Sequence, residues 1–121
     1  MHKTRRILMI AAAGMLIAGQ ALAHAHLKTA VPAPDSVLKA SPSELDLTFS
    51  EGLNLKFSGV KIVGPNKVAV KLGEPMLMDS DTTVMVTIED TLAAGKYTVE
   101  WHALSSDGHK SKGEYGFTIK P

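Results

Sequence analysis

From Leu27 onward the chain is a series of short runs in which every second residue is apolar, and most runs are bounded by glycine, proline or small polar residues. Glu44–Ser50 alternates strictly and puts Leu45, Leu47 and Phe49 on one face. Val60 and Ile62 follow, closed by Gly64-Pro65-Asn66. Val68, Val70 and Leu72 alternate as far as Gly73-Glu74-Pro75. Val84, Val86 and Ile88 come next, then Tyr97, Val99, Trp101 and Ala103, and finally Tyr115, Phe117 and Ile119. A period of two is the signature of a strand with one buried face. With a further strand near 27–31, about seven short strands are expected, separated by turn residues, which is the pattern of a sandwich. The expected fold is all-β, a single immunoglobulin-like Greek-key β-sandwich. No long helical period competes with it, and only Glu89–Ala94 is suited to a single helical turn. Repeats, low-complexity stretches and linkers are absent, so one domain is expected.

Residues 1–23 have another character. Lys3, Arg5 and Arg6 precede an apolar run from Ile7 to Ala18, and Ala21-Leu22-Ala23 follows. Together these predict a signal peptide over 1–23, cut after Ala23, with the folded domain over 24–121. The apolar run is short for a membrane span, which argues against an uncleaved anchor. Thr4-Arg5-Arg6 only faintly resembles a twin-arginine signal, so the general secretion route is expected. The leader carries three of the 13 basic residues and none of the 12 acids, so the formal charge of +1 turns slightly negative on cleavage. A chain with that balance and few aromatic residues has no footprint for nucleic acid. The sequence has no cysteine. That excludes disulfides, thiolate metal sites, a cysteine nucleophile and a lipidated amino-terminal cysteine. A bacterial periplasm is the expected compartment, and the core must hold by packing alone.

Cleavage after Ala23 makes His24 the first residue. Its α-amine and imidazole can then bind one metal ion together. His26 adds an imidazole two residues on, and Asp107-Gly108-His109 supplies a carboxylate and an imidazole at the same spacing. In extended backbone, residues i and i+2 share a side. Amine, imidazole and carboxylate donors suit Cu(II) in tetragonal geometry. His24, His26, Asp107 and His109 are therefore the candidate metal ligands. They can meet only if the amino terminus and the loop at 105–110 share one end of the sandwich. A second geometry also fits: His24-Ala25-His26 could hold Cu(II) through its amine, two backbone amides and the His26 imidazole, with Asp107 and His109 as bystanders. Asp107-Gly108 could equally be a plain hairpin turn.

His-Ala-His-Leu at 24–27, Val31-Pro32-Ala33-Pro34-Asp35-Ser36, Leu47-Thr48-Phe49-Ser50-Glu51, Phe57-Ser58-Gly59, Ala94–Trp101 and Ser105-Ser106-Asp107-Gly108-His109 occur in an order that resembles the CopC family of periplasmic copper-binding proteins, in its shorter, methionine-poor YobA-like branch. The likeness runs from His24 to Lys120. It implies a β-sandwich that holds one Cu(II) per chain through the amino-terminal histidine and an Asp-x-His, with the second histidine of His-x-His also a ligand. It implies copper sequestration and resistance, or delivery to a CopD-like membrane copper transporter, by a monomer that is not an enzyme. The methionine-rich Cu(I) loop of some members is reduced here to Met76, Met78 and Met85, so Cu(I) binding is expected to be weak. The amine and imidazole of His24 with a second histidine also resemble the histidine brace of polysaccharide monooxygenases, the alternative function. His26 and Asp107 would fill positions that oxygen needs there, and Trp101, Tyr97 and Tyr115 read as core rather than as a substrate platform. An interaction module with incidental histidines is the third reading. His102, on the opposite face from Tyr97, Val99 and Trp101, is expected to lie at the surface rather than on a metal.

Overall fold

The computed structural model describes residues 25–121. The predicted signal peptide, its cleavage point and His24 lie outside the described residues. Among the described residues, eight strands form two four-stranded sheets. They are β1 (Leu27–Val31), β2 (Val37–Leu38), β3 (Glu44–Phe49), β4 (Gly59–Val63), β5 (Met76–Met78), β6 (Thr83–Thr87), β7 (Gly95–Leu104) and β8 (Lys110–Ile119). The first sheet runs β1-β3-β6-β5 and the second β2-β8-β7-β4. The chain crosses to the second sheet for β2, returns for β3, crosses again for β4, returns for β5 and β6, and ends in the second sheet with β7 and β8. All pairings are antiparallel except that of β2 with β8.

Alternation sorts the side chains as expected. Leu45, Leu47, Phe49, Val84 and Val86 turn inward from the first sheet and meet Ile62, Tyr97, Val99, Phe117 and Ile119 from the second. Tyr97 stacks on its cross-strand partner Phe117 with ring centroids 5.5 Å apart. Trp101 packs edge-on against Phe49 of the facing sheet at 5.1 Å. His102 is exposed on the outer face, over Gly59 of β4. The two-sheet sandwich anticipated from the periodicity is the fold.

Two stretches depart from expectation. Val68–Leu72 has the alternation of a strand but builds no ladder. Gly64 N–H donates to Val68 and Val70 N–H to Ile62, at the edge of the second sheet; Glu89 N–H then donates to Lys71 and Gly73 N–H to Thr87, at the first. The segment changes sheets halfway, so its pairing breaks into the single bridges Val63↔Ala69 and Leu72↔Ile88. Residues 89–94 form no helical turn. Asp90 instead accepts a bond from Lys71 N–H at 2.8 Å, and Leu92 N–H donates to Ser41 Oγ at 2.7 Å. The strands beyond the expected seven, β2 and β5, have two and three residues, too few for a periodicity to register.

Candidate metal centre

Strands β7 and β8 form a hairpin whose last pair is Leu104↔Lys110, leaving residues 105–109 as its loop. Ser105 organises that loop. It is 1% exposed. Its N–H donates to His109 carbonyl at 2.9 Å, and its carbonyl accepts from Gly108 N–H at 2.9 Å. Its hydroxyl donates to Asp107 Oδ1 and accepts from His109 N–H at 3.2 Å. Gly108 makes the reversal with φ +93°, a region that side chains with a Cβ rarely enter. The loop thus turns Asp107 and His109 toward each other, with Asp107 Oδ1 3.0 Å from His109 Nδ1. Both side chains are about half exposed, so the pair opens to solvent. The Ser105 hydroxyl, and after it the His109 ring, hold the Asp107 carboxyl below its ordinary pKa, because both stabilise the carboxylate.

The amino-terminal segment reaches the same end of the sandwich. Ala25 is 1% exposed, and its carbonyl accepts from Ser111 Oγ at 3.0 Å, two residues beyond His109. His26 and Ser50 exchange a pair of bonds: His26 N–H to Ser50 Oγ and Ser50 N–H to His26 carbonyl, each 2.8 Å. The chain then runs from Ser50 to the hairpin loop. Ser106 N–H and Oγ both donate to Gly52 carbonyl, at 2.9 and 3.0 Å, and Leu53 bridges to Ser105. Residues 50–53 are therefore a strap with His26 at one end and the Asp107–His109 loop at the other.

Of the four candidate ligands, Asp107 and His109 lie side by side. His26 is exposed and anchored at the same end through its backbone, and His24 is outside the described residues. Among the described residues no three His, Cys, Asp or Glu side chains are arranged to hold a metal ion. The shared end that the reading required is present. An ion in contact with Asp107 would be within reach of His109, and both donors belong to the class that takes Cu(II). Sequence reasoning did not pick out Ser50, Ser105 and Ser111, which build this end. Ser105 carried a local signal, since serine two residues before an aspartate in a turn commonly bonds within it. Ser50 and Ser111 carried none, because their partners are 24 and 86 residues away in sequence.

Comparison with known proteins bears on the whole described domain. The CopC domain profile matches residues 27–120. Protein YobA of Escherichia coli K12 is 41% identical over 106 residues, 87% of this chain and 86% of that protein. Copper resistance protein C of Escherichia coli is 40% identical over 113 residues, covering 88% of this chain and 89% of that one. The crystal structure of PcoC, a methionine-rich copper resistance protein from Escherichia coli, superposes with a TM-score of 0.72 at 35% identity, over 80% of this chain and 99% of that one. A match from the first strand to the last, with relatives covered almost end to end, makes this chain a member of the CopC family.

Proposed function

We propose that this protein is a periplasmic copper carrier. Residues 1–23 direct export and are removed after Ala23, leaving the domain over 24–121. One Cu(II) per chain is then held by the α-amine and imidazole of His24, the His26 imidazole, Asp107 and His109. The copper is cargo, held for sequestration and resistance or handed to a CopD-like membrane transporter, and the protein acts as a monomer without catalysis. The observation that carries this reading is the Asp107–His109 pair, 3.0 Å apart, on the end of the sandwich that receives residues 25 and 26. Copper resistance protein C, 40% identical, supports the choice of metal. The electrostatics agree. The hairpin loop keeps Asp107 ionised to lower pH than an ordinary carboxylate, so the site stays negative toward a divalent cation.

The test is a Cu(II) competition titration of three forms: cleaved after Ala23, extended by one residue before His24, and His109→Ala. The extension turns the α-amine into a peptide nitrogen and breaks the chelate ring, so it is expected to cost the most affinity. His109→Ala is expected to weaken binding without touching the amino terminus. Equal affinity of the cleaved and extended forms would overturn the role of His24. Full affinity in His109→Ala would assign the metal to the amino-terminal tripeptide alone.

A further inference from the structure

Residues 25 and 26 are held by hydrogen bonds to Ser111 and Ser50, and the way they are held bears on which atoms can touch the metal. The Ala25 carbonyl is bonded to Ser111 Oγ at 3.0 Å, with Ala25 itself 1% exposed. The His26 amide hydrogen is bonded to Ser50 Oγ at 2.8 Å, and the His26 carbonyl to Ser50 N–H at 2.8 Å. The strand ladder continues directly from there, with Leu27 opposite Phe49.

A free peptide beginning with any two residues and then histidine can wrap Cu(II) in four nitrogens: the amine, two backbone amides and the imidazole. Each amide nitrogen joins only after its hydrogen has left to solvent. In this fold the His26 amide hydrogen is committed to Ser50. Closing the ring would also recruit the amide of Ala25, a buried residue held through its carbonyl by Ser111.

We propose that Ser50 determines the coordination mode. By engaging the His26 amide it keeps amide nitrogen out of the metal site and leaves the ion to the terminal amine and to side chains gathered from both segments. The inference rests on the Cu(II) site proposed above. A single hydrogen bond of this kind shifts the balance by about two- to tenfold, and the Ala25–Ser111 bond acts in the same direction.

The experiment compares Cu(II) affinity and visible absorption for four forms of the protein cleaved after Ala23: unaltered, Ser50→Ala, His109→Ala and the double variant. The peptide His-Ala-His-Leu supplies the reference spectrum of the four-nitrogen chelate, which absorbs at higher energy because deprotonated amides are strong-field donors. His109→Ala alone is expected to bind weakly. Adding Ser50→Ala is expected to tighten it about two- to tenfold and to bring in the peptide's band, so that losing a hydrogen bond regains part of the affinity lost with a ligand. Ser50→Thr in the His109→Ala background keeps the hydroxyl and is expected to stay weak. If the double variant binds no tighter than His109→Ala and lacks the peptide band, Ser50 has no such role, while the site reading stands. If the unaltered protein already shows the peptide spectrum, the site reading and this inference both fall. Circular dichroism of each variant excludes loss of fold as the cause.

Discussion

Ser105 shows how one buried hydroxyl can set the chemistry of an exposed pair. It donates to the Asp107 carboxylate and receives the His109 N–H, so removing it frees both ends of the loop. Because Ser105 is the largest cause of the lowered Asp107 pKa, Ser105→Ala is expected to raise that pKa toward the ordinary carboxylate value. The sign for stability follows from linkage. A carboxyl depressed in the folded state contributes above its unfolded pKa, and the contribution is lost as pH falls through the folded value. Acid therefore removes this contribution as pH falls from the ordinary carboxylate pKa through the lowered one, and in Ser105→Ala, where the two values approach each other, the contribution and its acid dependence shrink together. An NMR titration of the Asp107 carboxyl checks both statements. The same substitution is expected to weaken Cu(II) binding roughly tenfold, the low end of what is lost when a ligand loses its supporting bond. Unchanged affinity would mean that the metal orders the loop without help. Of the proposed ligand set, sequence offered residue types and spacing. The supporting serines lay beyond it because hydrogen bonds across 24 or 86 residues leave no local mark.

At the scale of elements, what was legible was whatever repeats along one strand. Tyr97, Val99 and Ala103 announce the inner face of β7, and all three are buried. What was not legible was where a strand stops pairing. Val68–Leu72 keeps its alternation while its partner changes from one sheet to the other, and no property of residues 68–72 reports that exchange. Close approach between strands is equally silent in sequence. Gly113 lies opposite Trp101, and a Cβ built there would meet the indole at 2.6 Å. Trp101 in turn packs on Phe49, the residue before Ser50. Gly113→Ala is therefore expected to displace the indole and cost about 1–3 kcal/mol, as overpacking of a filled site does. Urea denaturation followed by Trp101 fluorescence measures this, since Trp101 is the sole tryptophan. On the outer face of the first sheet, Met76 and Met78 stand exposed on edge strand β5, with Met85 opposite Met76. This stretch packs on the sheet rather than forming a methionine-rich loop, and Cu(I) is expected to be held weakly. Competition against a Cu(I) chelator tests it, and strong retention abolished by Met76→Leu with Met78→Leu would refute it.

For the whole molecule, the decisive distinction is between a metal that the fold gathers ligands for and one that the chain binds with or without a fold. The core of the described domain is apolar and continuous across both sheets, so the apo-protein is expected to fold, unlike a domain organised around its metal. Copper then stabilises only to the extent that it binds the folded state better than the unfolded one. If Cu(II) sits between the amino terminus and the Asp107–His109 loop, unfolding separates two ligand groups some 80 residues apart in sequence, and the affinity difference is large. A free ion at a hundredfold over Kd would add about 2.7 kcal/mol, or roughly 10–20 °C in Tm for a domain of this size. If the tripeptide His24-Ala25-His26 alone holds the metal, the unfolded chain keeps the same ligands, and copper moves Tm little or not at all. The expected outcome is a folded apo spectrum by circular dichroism, a clear rise in Tm with Cu(II) for the form cleaved after Ala23, and most of that rise lost in both the amino-terminally extended form and His109→Ala. Copper binding without any rise in Tm in the cleaved form would place the metal on the terminus alone. A rise that survives in the extended form would remove the His24 amine from the site. Only loss in both requires the two ends of the strap at 50–53 to meet on one ion.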